Sequence, residues 1–244
     1  MRVGLFVPCY VDQFYPNAAI ATLQLLKKLG VDVVYPLNQT CCGQPMANSG
    51  FEHLTTGCEE LFIENFADFD YIVSPSGSCT LHLKEHLHSD NAPQTALAIR
   101  SKLYELTEFL TDVLQVENLN ARFPYRVGMH QACHGQRGLR LSQMSELVAE
   151  PFSKPQSLLN MVTGIQMVEL SRPDECCGFG GTFCVSEEAV SSKMGKDRIA
   201  DHIEHGAEVI TSTDMSCLMH LEGLLKRRGS KVRVMYIAEI LNAS

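Results

Sequence analysis

The chain reads twice. "VGLFVPC" is an apolar, strand-like run ending at Cys9, and "YRVGMHQAC" repeats it into Cys133. In the first half a helical face follows, spaced Ala19, Leu23, Leu26, Leu29, and then the strand "VDVVYP" enters a loop carrying Cys41, Cys42 and Gly43. "SGFE" has the form of a capping box, Ser49 with Glu52, predicting a helix to about Phe66. "DYIVSPSGSC" is a third strand ending near Cys79. The second half replays this order. After helical sequence comes the strand "IQMVEL", the loop "ECCGFGG", and a helix that Ser186 can cap, with Glu187 and Glu188 at its positive end. "AEVITSTDMSC" is the matching third strand, ending near Cys217. The tails correspond as well, "TEFL" at 107–110 with "AEIL" at 238–241.

Such duplication predicts two repeats, residues 1–118 and 122–244, with a seam at the polar stretch 115–125 that ends near Pro124. Strands alternating with helices make this an α/β chain, each repeat a parallel sheet flanked by helices. Each half sets its cysteines just after the carboxyl ends of three strands, the edge where open α/β sheets bind ligands. Cys9, Cys41, Cys42 and Cys79 can therefore converge, as can Cys133, Cys176, Cys177 and Cys217.

Composition limits the chemistry. The net charge is −8 and no run of Lys and Arg occurs, which argues against a nucleic-acid or anionic-membrane surface. The opening "MRVGLFVPC" is too short and too soon broken by Pro8 for a signal peptide, and no stretch approaches a membrane span; a cytoplasmic protein is expected. Ten cysteines in a reducing compartment speak for metal or redox chemistry over a disulfide framework, and a disulfide between adjacent cysteines would strain the peptide joining them. Four thiolates suit zinc or an iron–sulfur cluster. Paired C-x-x-C arms are missing, so the ligands must come from separate loops. Gly43, Gly178, Gly180 and Gly181 then have a use: without Cβ their backbone can approach a cluster and donate N–H groups to it. "GFGG" matches neither the P-loop nor the full dinucleotide fingerprint.

Other residues carry weaker signals. Cys58 lies within the expected helix and reads as a buried small apolar residue. Cys184 follows the glycine loop closely enough to serve as a spare ligand or reactive thiol. His130 and His134 flank Cys133; ordinary structural roles come first, hydrogen bonding to a cluster or proton relay second. His82 and His86 share a helix face that reads as solvated.

With "CCGQP", "SPSGSC", "CCGFGGTF" and "DMSC" in hand, the chain resembles the cysteine-rich CCG domain family over nearly its whole length. Within it, the flanking residues resemble the iron–sulfur subunit of a bacterial L-lactate oxidation complex, and more distantly the CCG subunits of heterodisulfide reductase and the iron–sulfur subunit of glycolate oxidase. The resemblance implies one or two iron–sulfur clusters of 4Fe–4S type, a ferredoxin-like iron–sulfur partner, a third lactate-utilization subunit, and electron transfer during oxidation of lactate to pyruvate. One departure stands out. The first cysteine of the family's C-x-x-C is Ser76 in one half and Asp214 in the other, leaving four cysteines per half where five hold the non-cubane cluster of heterodisulfide reductase. A cubane cluster, an altered cluster or a zinc ion stay open, as do ligand or hydrogen-bonding roles for Ser76 and Asp214. A disulfide reductase and a zinc-stabilised assembly module are the rival functions.

Overall fold

The computed structural model describes residues 1–243, which form two four-stranded parallel sheets. The first half runs β1 (Arg2–Leu5), α1 (Cys9–Phe14), α2 (Pro16–Lys28), β2 (Asp32–Val34), α3 (Gln44–Ala47), α4 (Thr56–Phe66), β3 (Tyr71–Ser74), α5 (Gly77–His86), α6 (Pro93–Lys102), β4 (Leu103–Glu105) and α7 (Leu106–Glu108). The second runs β5 (Arg126–His130), α8 (Lys154–Leu159), β6 (Gln166–Met167), α9 (Phe183–Ser186), α10 (Glu188–Glu204), β7 (Val209–Ser212), α11 (Met215–Arg228), β8 (Arg233–Tyr236) and α12 (Ile237–Leu241). The sheet orders are β2-β1-β3-β4 and β6-β5-β7-β8, the same winding twice. Corresponding registers confirm the repeat: Leu5 pairs with Val73, and Met129 with Thr211.

Central strands of a parallel sheet are covered on both faces and read as unbroken apolar runs. Here Val3–Leu5, Ile72–Ser74, Val127–His130 and Val209–Ser212 are buried throughout, whereas the edge strands β2 and β6 are only partly covered. Ala18, Ala21, Thr22, Leu25 and Leu26 carry the buried face of α2. Ala19, Leu23 and Leu29, expected on that face, lie at its margin and pack against the core.

One apolar cluster runs through both halves, from Val3 and Leu25 to Val127, Leu221 and Leu241. A second, smaller one covers the outer face of the first sheet, around Phe6, Phe62 and Phe66. The stretch at the seam is built into the shared core: Leu119, Ala121 and Phe123 are buried, and the Phe123 N–H donates to the Thr163 carbonyl at 2.9 Å.

Equivalent residues of the two halves meet each other, the mark of a two-fold relation. Ser76 and Asp214 form an antiparallel bridge, and the Tyr236 hydroxyl donates to Glu105 Oε1 at 3.4 Å.

Three local expectations are corrected. Ser49 and Glu52 make no capping box: Gly50 takes φ +81°, the Ser49 hydroxyl donates back to the Pro45 carbonyl, Glu52–Leu54 form a separate turn, and α4 starts only at Thr56. Ser186 ends α9 instead of capping α10, because Glu187, at φ −123°, breaks the helix between them. Each sheet also has a fourth strand, β4 and β8, beyond the three expected.

Candidate metal centre

The strand ends deliver the cysteines together. Cys9 opens α1 after β1, Cys41 and Cys42 follow β2, and Cys79 lies in the first turn of α5 after β3. Cys133, Cys176, Cys177 and Cys217 occupy the matching places. All eight line a single cavity of about 100 Å³ between the halves, together with Ser76, His134, Gly180, Gly181 and Asp214. That the two sets face one another follows from the two-fold docking of the halves.

In the first set Cys9 lies 3.7 Å from Cys41, and Cys42 3.2 Å from Cys79. In the second set the sulfurs of Cys177 and Cys217 lie within 4.8 Å of each other. Backbone amides point at the sulfurs: Gly43 N–H donates to Cys41 at 3.4 Å, Gly178 N–H to Cys176 at 3.4 Å, and Phe179 N–H to Cys177 at 3.5 Å. Both glycines need positive φ, +88° at Gly43 and +84° at Gly178, to aim these amides. A Cβ on Gly178 would come within 2.8 Å of the Ser191 carbonyl.

Four thiols this close, one or two of each set buried and the rest partly so, cannot all ionise. Hydrogen bonds from Cys42 and Cys9 hold the Cys41 thiol far below its usual range, and those from Cys133 and Cys177 do the same for Cys176. Giving up those hydrogen bonds and burial push Cys9, Cys42, Cys133 and Cys177 up. Cys41 and Cys176 therefore each resemble a thiolate stabilised by the thiols that hydrogen-bond to it, and a soft cation would displace the protons of those thiols. Around one tetrahedral zinc, sulfurs bonded at about 2.3 Å stand about 3.8 Å apart. The Cys9–Cys41 separation already matches that figure, and the donor chemistry fits thiolate-bound iron–sulfur clusters equally.

Ser76 and Asp214 serve as helix caps. The Ser76 hydroxyl accepts from Cys79 N–H at 3.3 Å and donates to Asp214 Oδ2 at 3.2 Å. Asp214 Oδ2 also accepts from Ser78 N–H at 2.7 Å, while Oδ1 takes the Ser216 N–H at 3.0 Å and its hydroxyl at 2.5 Å. A buried carboxylate with four donors has its acceptor sites filled, and it ties the α5 and α11 starts together across the seam.

His134 lines the cavity with Nδ1 3.9 Å from Cys133. His130 is 1% exposed, and one of its ring nitrogens lies within 4.8 Å of the sulfurs of both Cys177 and Cys217. Burial, reinforced by the nearby Arg198 charge, pushes its pKa down to about 3. Cys184 stands outside the cavity, its thiol donating to the Gly181 carbonyl at 3.0 Å. Cys58 is half-buried on α4, less covered than its expected core role requires. His82 is buried beside Gly43, where a solvated face was expected, and burial holds its pKa down to about 4. Missed by sequence reading were Arg198 and His202, fully buried behind the second cysteine set.

Comparisons with known proteins agree with this geometry. The cysteine-rich domain family (CCG) matches residues 3–84 and 127–222. Lactate utilization protein A of Bacillus subtilis is 41% identical over 247 residues, spanning 100% of both chains. The protein of that name from Geobacillus thermodenitrificans is 41% identical over 99% of both. A hypothetical protein of Helicobacter pylori of known structure superposes with a TM-score of 0.59 over 98% of this chain and 48% of its own, at 13% identity, a likeness of fold alone. By two domain matches and by identity along its entire length, this chain belongs to the cysteine-rich CCG domain family, in the group that holds the lactate utilization A proteins.

Proposed function

We propose that this chain is the iron–sulfur subunit of a complex that oxidises L-lactate to pyruvate, carrying electrons away from the reaction. The observation that carries the proposal is the pair of four-sulfur sets opening onto one cavity, each with backbone N–H groups aimed at its sulfurs. Full-length similarity to proteins named for lactate utilization supports lactate as the substrate.

In this reading Cys9, Cys41, Cys42 and Cys79 hold one cluster, and Cys133, Cys176, Cys177 and Cys217 a second. Bound clusters would supply one-electron transfer, so lactate's two electrons leave one at a time. The protein's part is to hold the sulfurs, spread their negative charge onto the Gly43, Gly178 and Phe179 amides, and lock the two sets together through Asp214. No flavin or nicotinamide motif is evident in the sequence, so lactate is oxidised with partners: a ferredoxin-like iron–sulfur subunit and a third subunit of the same system. The complex works in the cytoplasm.

Anaerobic purification followed by iron and acid-labile sulfide analysis tests the first step. Both are expected, with an EPR signal on reduction. Zinc without sulfide would overturn the redox reading in favour of a zinc-stabilised assembly module, a reading to which the 3.7 Å sulfur spacing lends support. A deletion strain is expected to lose growth on L-lactate and keep it on glycolate. The reverse would point to a glycolate oxidase subunit.

A further inference from the structure

The two sites are not copies. Phe6 and His130 each stand one residue beyond the paired positions Leu5 and Met129, so they are equivalent. Phe6 packs edge-on against Phe62 and Phe66, with ring centroids 5.0 and 5.9 Å away. On the other sheet Arg198 and His202 take those places. A Cβ on Gly4 would meet Phe66, and one on Gly128 would meet His202. Behind Cys42 there is thus an aromatic wall, and behind Cys177 a polar one, with Arg198 fully buried and paired with Asp201 at 3.2 Å.

His130 is the member of that wall nearest the sulfurs. Among the described residues neither of its ring nitrogens has a hydrogen-bond partner. Buried polar groups are nearly always paired, so an orphaned imidazole needs a reason. Its ligating nitrogen and the sulfurs of Cys177 and Cys217 all lie within 4.8 Å of one another, close enough to share one metal ion. Phe6 offers no such atom in the first half.

We propose that His130 is a metal ligand of the second site, which makes that site a mixed thiolate–imidazole centre and the first an all-thiolate one. The metal's identity, though not the ligation, rests on the iron–sulfur reading above.

The test uses full-length protein reconstituted anaerobically with iron and sulfide and examined by pulsed EPR, with and without 15N-histidine. A directly bound nitrogen is expected, its coupling changing with the label and disappearing in H130Q while about half of the iron remains. An iron-loaded wild type without nitrogen coupling overturns the proposal, as does a coupling that persists in H130Q. Should H130Q not fold, the decisive variant is H82N/H134N/H220N, which removes the other histidines near the sulfurs. The coupling must survive there, and its loss refutes the assignment. If iron and sulfide are not taken up at all, the redox reading fails separately, and cobalt(II) replaces them as the probe: nitrogen coupling to bound cobalt supports His130 ligation, and its absence refutes it.

Discussion

Cys42 and Cys177 are the most buried sulfurs of their sets, each wedged between two other thiols. Replacing either with Ser leaves three sulfurs and a harder oxygen in the ligand's place. Each variant is expected to lose roughly half of the bound iron, one set of the two, while Cys58→Ser keeps all of it. Metal analysis of the three purified variants decides, and equal iron in all would contradict the ligand assignment. Glu105 offers a pH test away from the metal. It is fully buried beside Tyr236 and Glu108, and desolvation raises its pKa to about 8, against hydrogen bonds from Thr107 and the Glu108 N–H. A carboxyl with a raised folded-state pKa binds its proton more tightly when folded. The stability this contributes is complete below its ordinary pKa near 4.5 and is lost as pH rises through about 8. Glu105→Gln is expected to flatten the denaturation midpoint between pH 5 and 8; an unchanged pH slope would show that Glu105 ionises freely in the folded protein.

At the scale of elements, the two CCG loops differ in how tightly they are held. Gly43 has room for a methyl group apart from Thr55 at 3.1 Å, whereas Gly178 faces Met194 Cβ at 2.7 Å and the Ser191 carbonyl at 2.8 Å. Gly43→Ala is expected to cost about 1–2 kcal/mol for its left-handed backbone, and Gly178→Ala clearly more, because backbone must move as well. Denaturant melts of both rank the loops, and equal losses would show that α10 yields freely. The loops themselves were legible, since paired cysteines followed by glycine have few uses in a reducing compartment. The central strands were legible for a related reason: apolar runs such as "YIVS" and "VITS" survive any choice of neighbour. What escaped depends on contacts between distant segments. Leu103–Glu105 is three residues long and becomes a strand only by pairing with β3. The Ser49–Glu52 pattern satisfies a local rule that Gly50's positive φ defeats. Phe6 and His130 could be aligned by eye, but Arg198 and His202 both fall in α10, which is longer than α4, so no fixed offset reveals them.

Across the whole molecule, the cysteine-lined cavity exists only where the two halves meet, and the seam is held by equivalent residues touching. Asp214 is the hinge pin: 2% exposed, it caps α11 and reaches the Ser76 hydroxyl and Ser78 N–H of the other half. Asp214→Ala orphans buried donors on both sides and is expected to cost about 2–4 kcal/mol, and Asp214→Asn less, since the amide oxygen still accepts. The shared core makes a stronger claim. Val3, Leu25, Phe109, Val127, Leu221 and Leu241 belong to one apolar cluster, so either half alone would expose a face that the other now covers. The duplication is therefore one of topology and not of independent folding. Residues 1–118 produced alone are expected to show no cooperative thermal transition by circular dichroism and to take up no iron stably, whereas the full chain unfolds in a single step. A sharp transition in the isolated half would mean that the halves fold first and dock afterwards, with the facing cysteine sets assembled by association instead of by a common core.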